Sequence, residues 1–370
     1  MKKIFFFALV ALFALNVNAQ EKPVYTFTDI VNLDKTETKD QCRTGTCWSY
    51  ATGSFIESEL MRMGKGEHDL SEMFNVRMTY PKKAEMYLRY QGKTQFGPGS
   101  LSHDVINAIA NYGVVPESVY SGLQNKETEH DHAEMDAVLE AMLKALTEQR
   151  TVSEYWLEAV NGVLDAYLGE VPESFEYQGK KTNPIQLRDD LGLKAEDYVS
   201  FSSFTHHPFY EKFILEVPDN FSNGVYYNVP MNDLVMMTEV ALKSGYTVAW
   251  DADVSEKGFS FRNGVAVLIG DDVPREELFT KAHEELEVTQ EDRQKAYNSH
   301  STTDDHLMHI VGMAKDQNGT PYFIIKNSWG SENPYGGLQY VSYHYFLMKT
   351  VGILLHKDAV SKAISKNLKP

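Results

Sequence analysis

Apolar residues recur every three to four positions through the first two thirds of the chain and crowd into short runs near its end. Trp48, Ala51, Phe55, Leu60 and Met63 predict a helix over 47–63, stopped by Gly64 and Gly66. Ser71 caps a second helix, with Glu72 in its first turn. A loop at 97–99 (Gly-Pro-Gly) precedes a third helix over 101–112 that Gly113 closes. Two stripes, Met135/Val138/Leu139/Met142/Leu143/Leu146 and Trp156/Val160/Val163/Leu164/Tyr167, predict a packed helical hairpin within 121–170, its second helix capped by Ser153. Another helix follows Asn232 and ends at Gly245. The pattern then changes period. Strands are expected at 246–250, 265–269, 307–314, 322–326, 337–342 and 350–355, with a hairpin turn at 316–319 (Asp-Gln-Asn-Gly). The segment 25–39 reads as irregular and partly extended, and 271–305 as a polar, acid-rich surface excursion with some helix. Helices first and strands last indicate an α+β fold.

Composition narrows the picture. Lys2 and Lys3 precede an apolar run at 4–15, and Val17-Asn18-Ala19 supplies small residues for cleavage. This is a secretory leader pattern, too short to span a bilayer, with cleavage expected after Ala19. No later stretch reaches about 18 uninterrupted apolar residues, so no membrane insertion is expected. The formal charge is −17, and −19 without Lys2 and Lys3. Such an acidic chain is a poor partner for nucleic acid or anionic membrane. Cys42 and Cys47 are the only cysteines, so an exported protein here lacks a disulfide framework.

Three segments carry candidate chemistry. The first runs from Asp40 through Gln41, Cys42, Arg43, Thr44, Gly45 and Thr46 to Cys47-Trp48. The second is Asp305-His306-Leu307-Met308-His309-Ile310-Val311-Gly312, and the third Asn327-Ser328-Trp329-Gly330. Together they resemble papain-like cysteine peptidases. In that family a Gln stands six residues before a Cys-Trp pair, as Gln41 stands before Cys47. The catalytic His precedes a Gly by six positions, as His306 precedes Gly312. The resemblance implies Cys47 as nucleophile at a helix N-terminus, where free N–H groups favour a thiolate. It implies Gln41 as oxyanion donor, His306 as base, Asn327 as its orienting amide and Trp329 as the shield over that bond. His309, three residues on, faces the other side of a strand.

His306 lies 259 residues after Cys47, against about 130–150 in small papain-like enzymes, so an insertion of about a hundred residues is expected. Residues 112–120, 168–175 and 228–253 resemble the bleomycin hydrolase/aminopeptidase C branch. The resemblance implies one papain-like domain over 20–370: a helical half with the nucleophile at 20–120, a mainly helical insertion at 121–230, and a β-barrel-like antiparallel half at 231–370. It implies peptide substrates, no cofactor, aminopeptidase-like cleavage and the branch's frequent homohexamer. Gly99 is the candidate glycine for pairing with substrate backbone. The branch often ends in an arm that restricts cutting to substrate N-termini. This chain's last residues, 365–370, fall short of one, leaving endopeptidase cleavage as an alternative; an inert papain-like binding protein is a second. His130-Asp131-His132 and His206-His207 have metal-ligand residue types but read as solvated surface. The leader gives a first prediction. Intact mass and N-terminal sequencing of the exported protein should show Gln20 as the first residue, and retention of residues 1–19 would contradict it.

Overall fold

The computed structural model describes residues 24–369. The expected leader lies outside them. The chain's most buried strand organises the rest. β10 (His306–Asp316) carries apolar residues on both faces and is nearly fully buried. Such a strand needs cover on both sides. Alternation sorts its side chains: Leu307 packs with the residues around Cys47, whereas Met308 and Ile310 pack in a second cluster with Trp250 and Phe346. A bulge between Ile310 and Gly312 then shifts the register against the next strand.

Before it in the chain come β1 (Phe27–Asn32), β2 (Phe175–Tyr177), β3 (Lys180–Thr182), β4 (Tyr198–Ser202), β5 (Lys212–Ile214), β6 (Val225–Asn228), β7 (Val248–Ala252), β8 (Phe259–Ser260) and β9 (Val265–Ala266). After it come β11 (Pro321–Lys326), β12 (Leu338–Ser342) and β13 (Thr350–His356). Eleven of these strands form one sheet in the order β5-β6-β4-β13-β7-β10-β11-β12-β9-β8, with β1 also paired to β10. The sheet is open and mixed, since β4–β6 and β12–β9 are parallel. The antiparallel barrel-like half is therefore corrected to an open sheet among the described residues. The insertion accounts for part of this: β4, β5 and β6 come from it and extend the sheet at one end, so it is mainly helical only as far as residue 191.

Helices cover the two faces. α1 (Cys47–Arg62), α2 (Glu72–Arg89), α3 (Ser102–Tyr112), α4 (Ala133–Thr147), α5 (Trp156–Leu168) and α6 (Pro184–Leu191) build the helical side. α7 (Met231–Lys243), α8 (Gln290–Asn298), α9 (Tyr343–Lys349) and the short α10 (Lys362–Ser365) follow; α7 packs on β4, β7 and β10, and α9 on β11–β13. Every residue of α1 from Cys47 to Leu60 is buried. A helix surrounded on all sides must satisfy its polar residues internally. Ser49 donates to the Glu72 carbonyl, Ser58 to that of Asp34, and Glu57 accepts from Thr36 and the Leu70 amide. The α4/α5 hairpin is present, but α5 begins under Tyr155 rather than under a Ser153 cap. Arg77 on α2 ties it down through Asp165 and Asn161.

The polar segment 271–305 is more than a surface excursion. Leu278 is fully buried, and α8 sends Arg293, 1% exposed, into the core. Its guanidinium donates to the carbonyls of Ser203, Leu347 and Thr350. Among the described residues no acid pairs with it, and burial pulls its pKa down to about 9. Arg293 thereby cross-links α8, the end of β4 and the start of β13. Arg293→Ala should strand these three carbonyls and lower the unfolding free energy by about 3 kcal/mol or more in a urea titration; an unchanged midpoint would contradict this anchoring role.

Candidate active site

Three chain segments meet where α1 points its N-terminus at the start of β10. The loop before α1 is held by backbone pairing to the loop after β11. The Gln41 amide donates to the Ser328 carbonyl at 2.9 Å, and the Gly330 amide donates to the Lys39 carbonyl at 3.1 Å. Asp40 and Trp329 form an antiparallel bridge. Side chains reinforce the join, since Ser328 Oγ donates to Gln41 Oε1 at 2.7 Å. On the other flank Pro98 fills the space beside Gly45, where an added Cβ would meet the proline ring at 2.4 Å. Trp48 Nε1 donates to the Pro98 carbonyl. Gly45 is thus required for close approach of the 97–99 loop.

Cys47 begins α1 and is 8% exposed. Its N-cap Thr46 makes no side-chain cap; its hydroxyl bonds that of Thr44 instead. The first-turn N–H groups are therefore not consumed by a capping side chain. Gln41 Nε2 donates one hydrogen to the Thr44 carbonyl at 2.7 Å. A primary amide has two, so the second remains available at the same locus.

His306, 4% exposed, bonds Asn327 Oδ1 through Nε2 at 2.8 Å. The direction of that bond follows from the next link. Asn327 Nδ2 donates to Gln339 Oε1 at 2.7 Å, and Asn327 Oδ1 also accepts from the Ser328 amide. Asn327 therefore presents an acceptor, the proton sits on Nε2, and Nδ1 is left as the basic nitrogen. Trp329 stacks on the imidazole, centroids 4.5 Å apart and planes inclined by 23°. Phe259 and Phe261 pack edge-on against Trp329. His309 takes the opposite face of the strand, as alternation predicts: its Nδ1 pairs with Ser54 Oγ on α1, and its ring meets Phe55.

Electrostatics favour neutral groups in the resting site. Burial pushes the Cys47 thiol up to about 12; the Leu307 backbone amide beside it opposes this, and Asp304, Asp251 and Asp219 add to it. Burial pulls His306 down to about 4, against the Asn327 bond. Proton transfer from thiol to imidazole creates both charges together, so each ion stabilises the other. The acidic neighbours were not picked out by motif. Asp304 stands two residues before His306, and Asp251 is cross-strand from Leu307. Their sequence signal was a lone Asp in the apolar run of β7 and the Asp-Asp pair before His306.

Gly99 lies beside this group, with Asp219 occupying the space a side chain would take and Lys83 donating to its carbonyl. Cys42 adopts a left-handed backbone with φ 53°, and both cysteines are free thiols. Elsewhere, His206 and His207 both bond Glu216, the one three-residue group with metal-ligand geometry among the described residues. His130 and His132 approach each other but gather no acid into such a group.

Residues 93–370 match the model of the Peptidase C1-like family. The chain belongs to that family. The match includes His306 and Asn327 and begins after Cys47. The chain is similar to aminopeptidase G of Lactobacillus delbrueckii subsp. lactis, 21% identical over 364 residues, covering 87% of this chain and 81% of the relative. It is also similar to aminopeptidase C of Streptococcus thermophilus, 24% identical over 377 residues, covering 90% and 83%. Among solved structures, PepW from Lactobacillus rhamnosis HN001 superposes with a TM-score of 0.73 at 18% identity, over 92% of this chain and 84% of that one. The papain-like fold is therefore that of this family.

The carboxyl cluster has a consequence for stability. Burial raises Asp304 to about 7, with Asp219 and Asp305 adding to it and Asp251 and Lys83 opposing. An unfolded Asp titrates near about 3.9. The folded state thus holds this proton more tightly, giving stability that is full below about pH 4 and lost as pH rises through about 7. Asp304→Asn should become progressively stabilising relative to the wild type from about pH 5 to about pH 8 in urea titrations, by about 1 kcal/mol or more. A pH-independent difference would contradict the raised pKa.

Proposed function

We propose that this family member hydrolyses peptide bonds through a thioester on Cys47. The observation that carries the reading is the His306–Asn327 bond, which leaves Nδ1 basic at the start of β10, while the Cys47 thiol lies against the next amide, Leu307. Cys47 gives its proton to His306 and attacks the scissile carbonyl. The Cys47 N–H and the free Gln41 N–H stabilise the oxyanion. The imidazolium then protonates the leaving amine, and a water deprotonated by His306 releases the acid product and restores the thiol.

Aminopeptidase-like cleavage is the favoured specificity, supported by the relatives' names. Cleavage within a chain is the second reading. The Lys369 amide donates to the Tyr210 carbonyl and its ammonium pairs with Glu211, so this segment is held beside β5 and not by any residue named at the Cys47 site. Export through residues 1–19 is part of the proposal.

A mixture of free and N-acetylated peptides tests it. Wild-type enzyme should cleave, Cys47→Ala should not, and His306→Ala should lose about 10²–10⁴-fold in kcat/KM. Loss of cleavage on acetylation supports the aminopeptidase reading, and retained cleavage the endopeptidase one. Undiminished hydrolysis by Cys47→Ala would overturn both.

A further inference from the structure

The acid beside the nucleophile is unlike the other buried acid of the same strand end. Asp253, 1% exposed, is fully provided for. It accepts from the amide and hydroxyl of Ser255 and the amide of Thr303, and lies 3.7 Å from the Lys349 ammonium. Asp251, 4% exposed, receives no backbone N–H, amide, ammonium or hydroxyl from any described residue. Its neighbour is another carboxyl, Asp304; burial raises both, so the pair holds a proton between them, and no other described residue donates to Asp251 or to Asp304 Oδ2.

Position gives this orphaned acid a meaning. In β7, Val248, Trp250 and Ala252 pack on the α7/α9 side, and Ala249 packs with Cys47. Alternation puts Asp251 on the Cys47 side, opposite Leu307. Asp219 approaches from the 219–224 loop across Gly99 and bonds Gln95. Asp251, Asp304 and Asp219 all act electrostatically on Cys47 and on one another. Asp304 and Asp219 are half-buried, so the cluster has a side toward solvent. The cation set among them is Lys83, whose ammonium is taken by the carbonyls of Gly97 and Gly99. Tyr226, near Asp251 and Asp304, lies 3.4 Å from His103 Nδ1. Three carboxyls face one lysine that is engaged elsewhere, and the Asp251–Asp304 pair avoids two buried charges only by holding a proton between two acids. Buried carboxylates without donors are unfavourable unless a cation completes them.

We propose that Asp251, Asp304 and Asp219 form a subsite for an organic cation of the peptide substrate, an ammonium or guanidinium held immediately upstream of the scissile bond. This rests on Cys47 being the nucleophile and names what the same cleft selects. The bound cation supplies the N–H donors that Asp251 and Asp304 lack. Its entry displaces the proton the pair shares, which leaves to solvent. Two parts of a substrate carry this chemistry: its α-ammonium, or a lysine or arginine side chain. The subsite thereby selects substrate with residues of the insertion and the sheet.

The test compares three peptides of one sequence: free N-terminus, N-acetylated with norleucine upstream of the cut, and N-acetylated with arginine there. Rates are taken per active site, titrated with a thiol-alkylating peptide mimic. Wild-type enzyme should favour a cationic peptide over the neutral one by about tenfold or more in kcat/KM. Preference confined to the free N-terminus identifies the α-ammonium; restoration by arginine identifies the side chain. The double variant Asp251→Asn/Asp304→Asn should lose most of that ratio. Asp219→Asn, altered at a half-buried position, should lower it and serves should the double variant not fold. Equal rates on all three peptides, or an unchanged ratio in the variants, would overturn the proposal while leaving Cys47 chemistry standing. Absence of both alkylation and cleavage in the wild type would overturn the peptidase reading, and this subsite with it.

Discussion

The site depends on one backbone junction, the pairing of the Gln41 loop with the Ser328 loop. Cys47 and Asn327 are distant in sequence and sit on opposite sides of the α1–sheet boundary. Two amide–carbonyl bonds between Lys39–Gln41 and Ser328–Gly330 fix one loop against the other. The same few residues belong to the proposed catalytic set: Gln41 on one side, Asn327 and Trp329 on the other. Weak bonds suffice here because α1 is enclosed and β10 is covered on both faces, so neither element has an alternative position.

Burial gives the site its chemical character as well as its rigidity. Removing Cys47 and His306 from water keeps the resting pair neutral and makes each charge depend on the other. It also makes the Asp251–Asp304 pair an unfavourable arrangement that the fold tolerates beside Cys47. Polar strain of this kind concentrates where a ligand completes it. Asp253, two residues along, shows that the same strand end satisfies an acid when structure alone is at stake.

The residues that the fold brings together at the candidate site were legible because their motifs are local in text. The Gln-to-Cys spacing, the His-to-Gly spacing and the Asn-Ser-Trp-Gly run each sit within about ten residues. Long periodic helices such as α1 and α7 were legible for the same reason, as was the 316–319 hairpin, where Gly319 takes φ 86°. What escaped was non-local. β4, β5 and β6 are short and gain stability only by extending a sheet through distant pairings, such as Phe201 with Ile353. The role of α8 hides in a polar segment because its anchor is Arg293, a residue type that rarely sits in a core. Asp251 and Asp304 are ordinary acids in text, and only the pairing of β7 with β10 makes them neighbours.

The central claim is that Cys47, rather than Cys42, is the reacting thiol and that His306 activates it. The most direct measurement is covalent labelling with a peptidyl thiol-alkylating reagent, followed by peptide mapping and repeated on His306→Ala. The account predicts one adduct, on Cys47, forming at least about tenfold more slowly without the imidazole. Labelling of Cys42 in preference to Cys47, or an unchanged rate in His306→Ala, would contradict it.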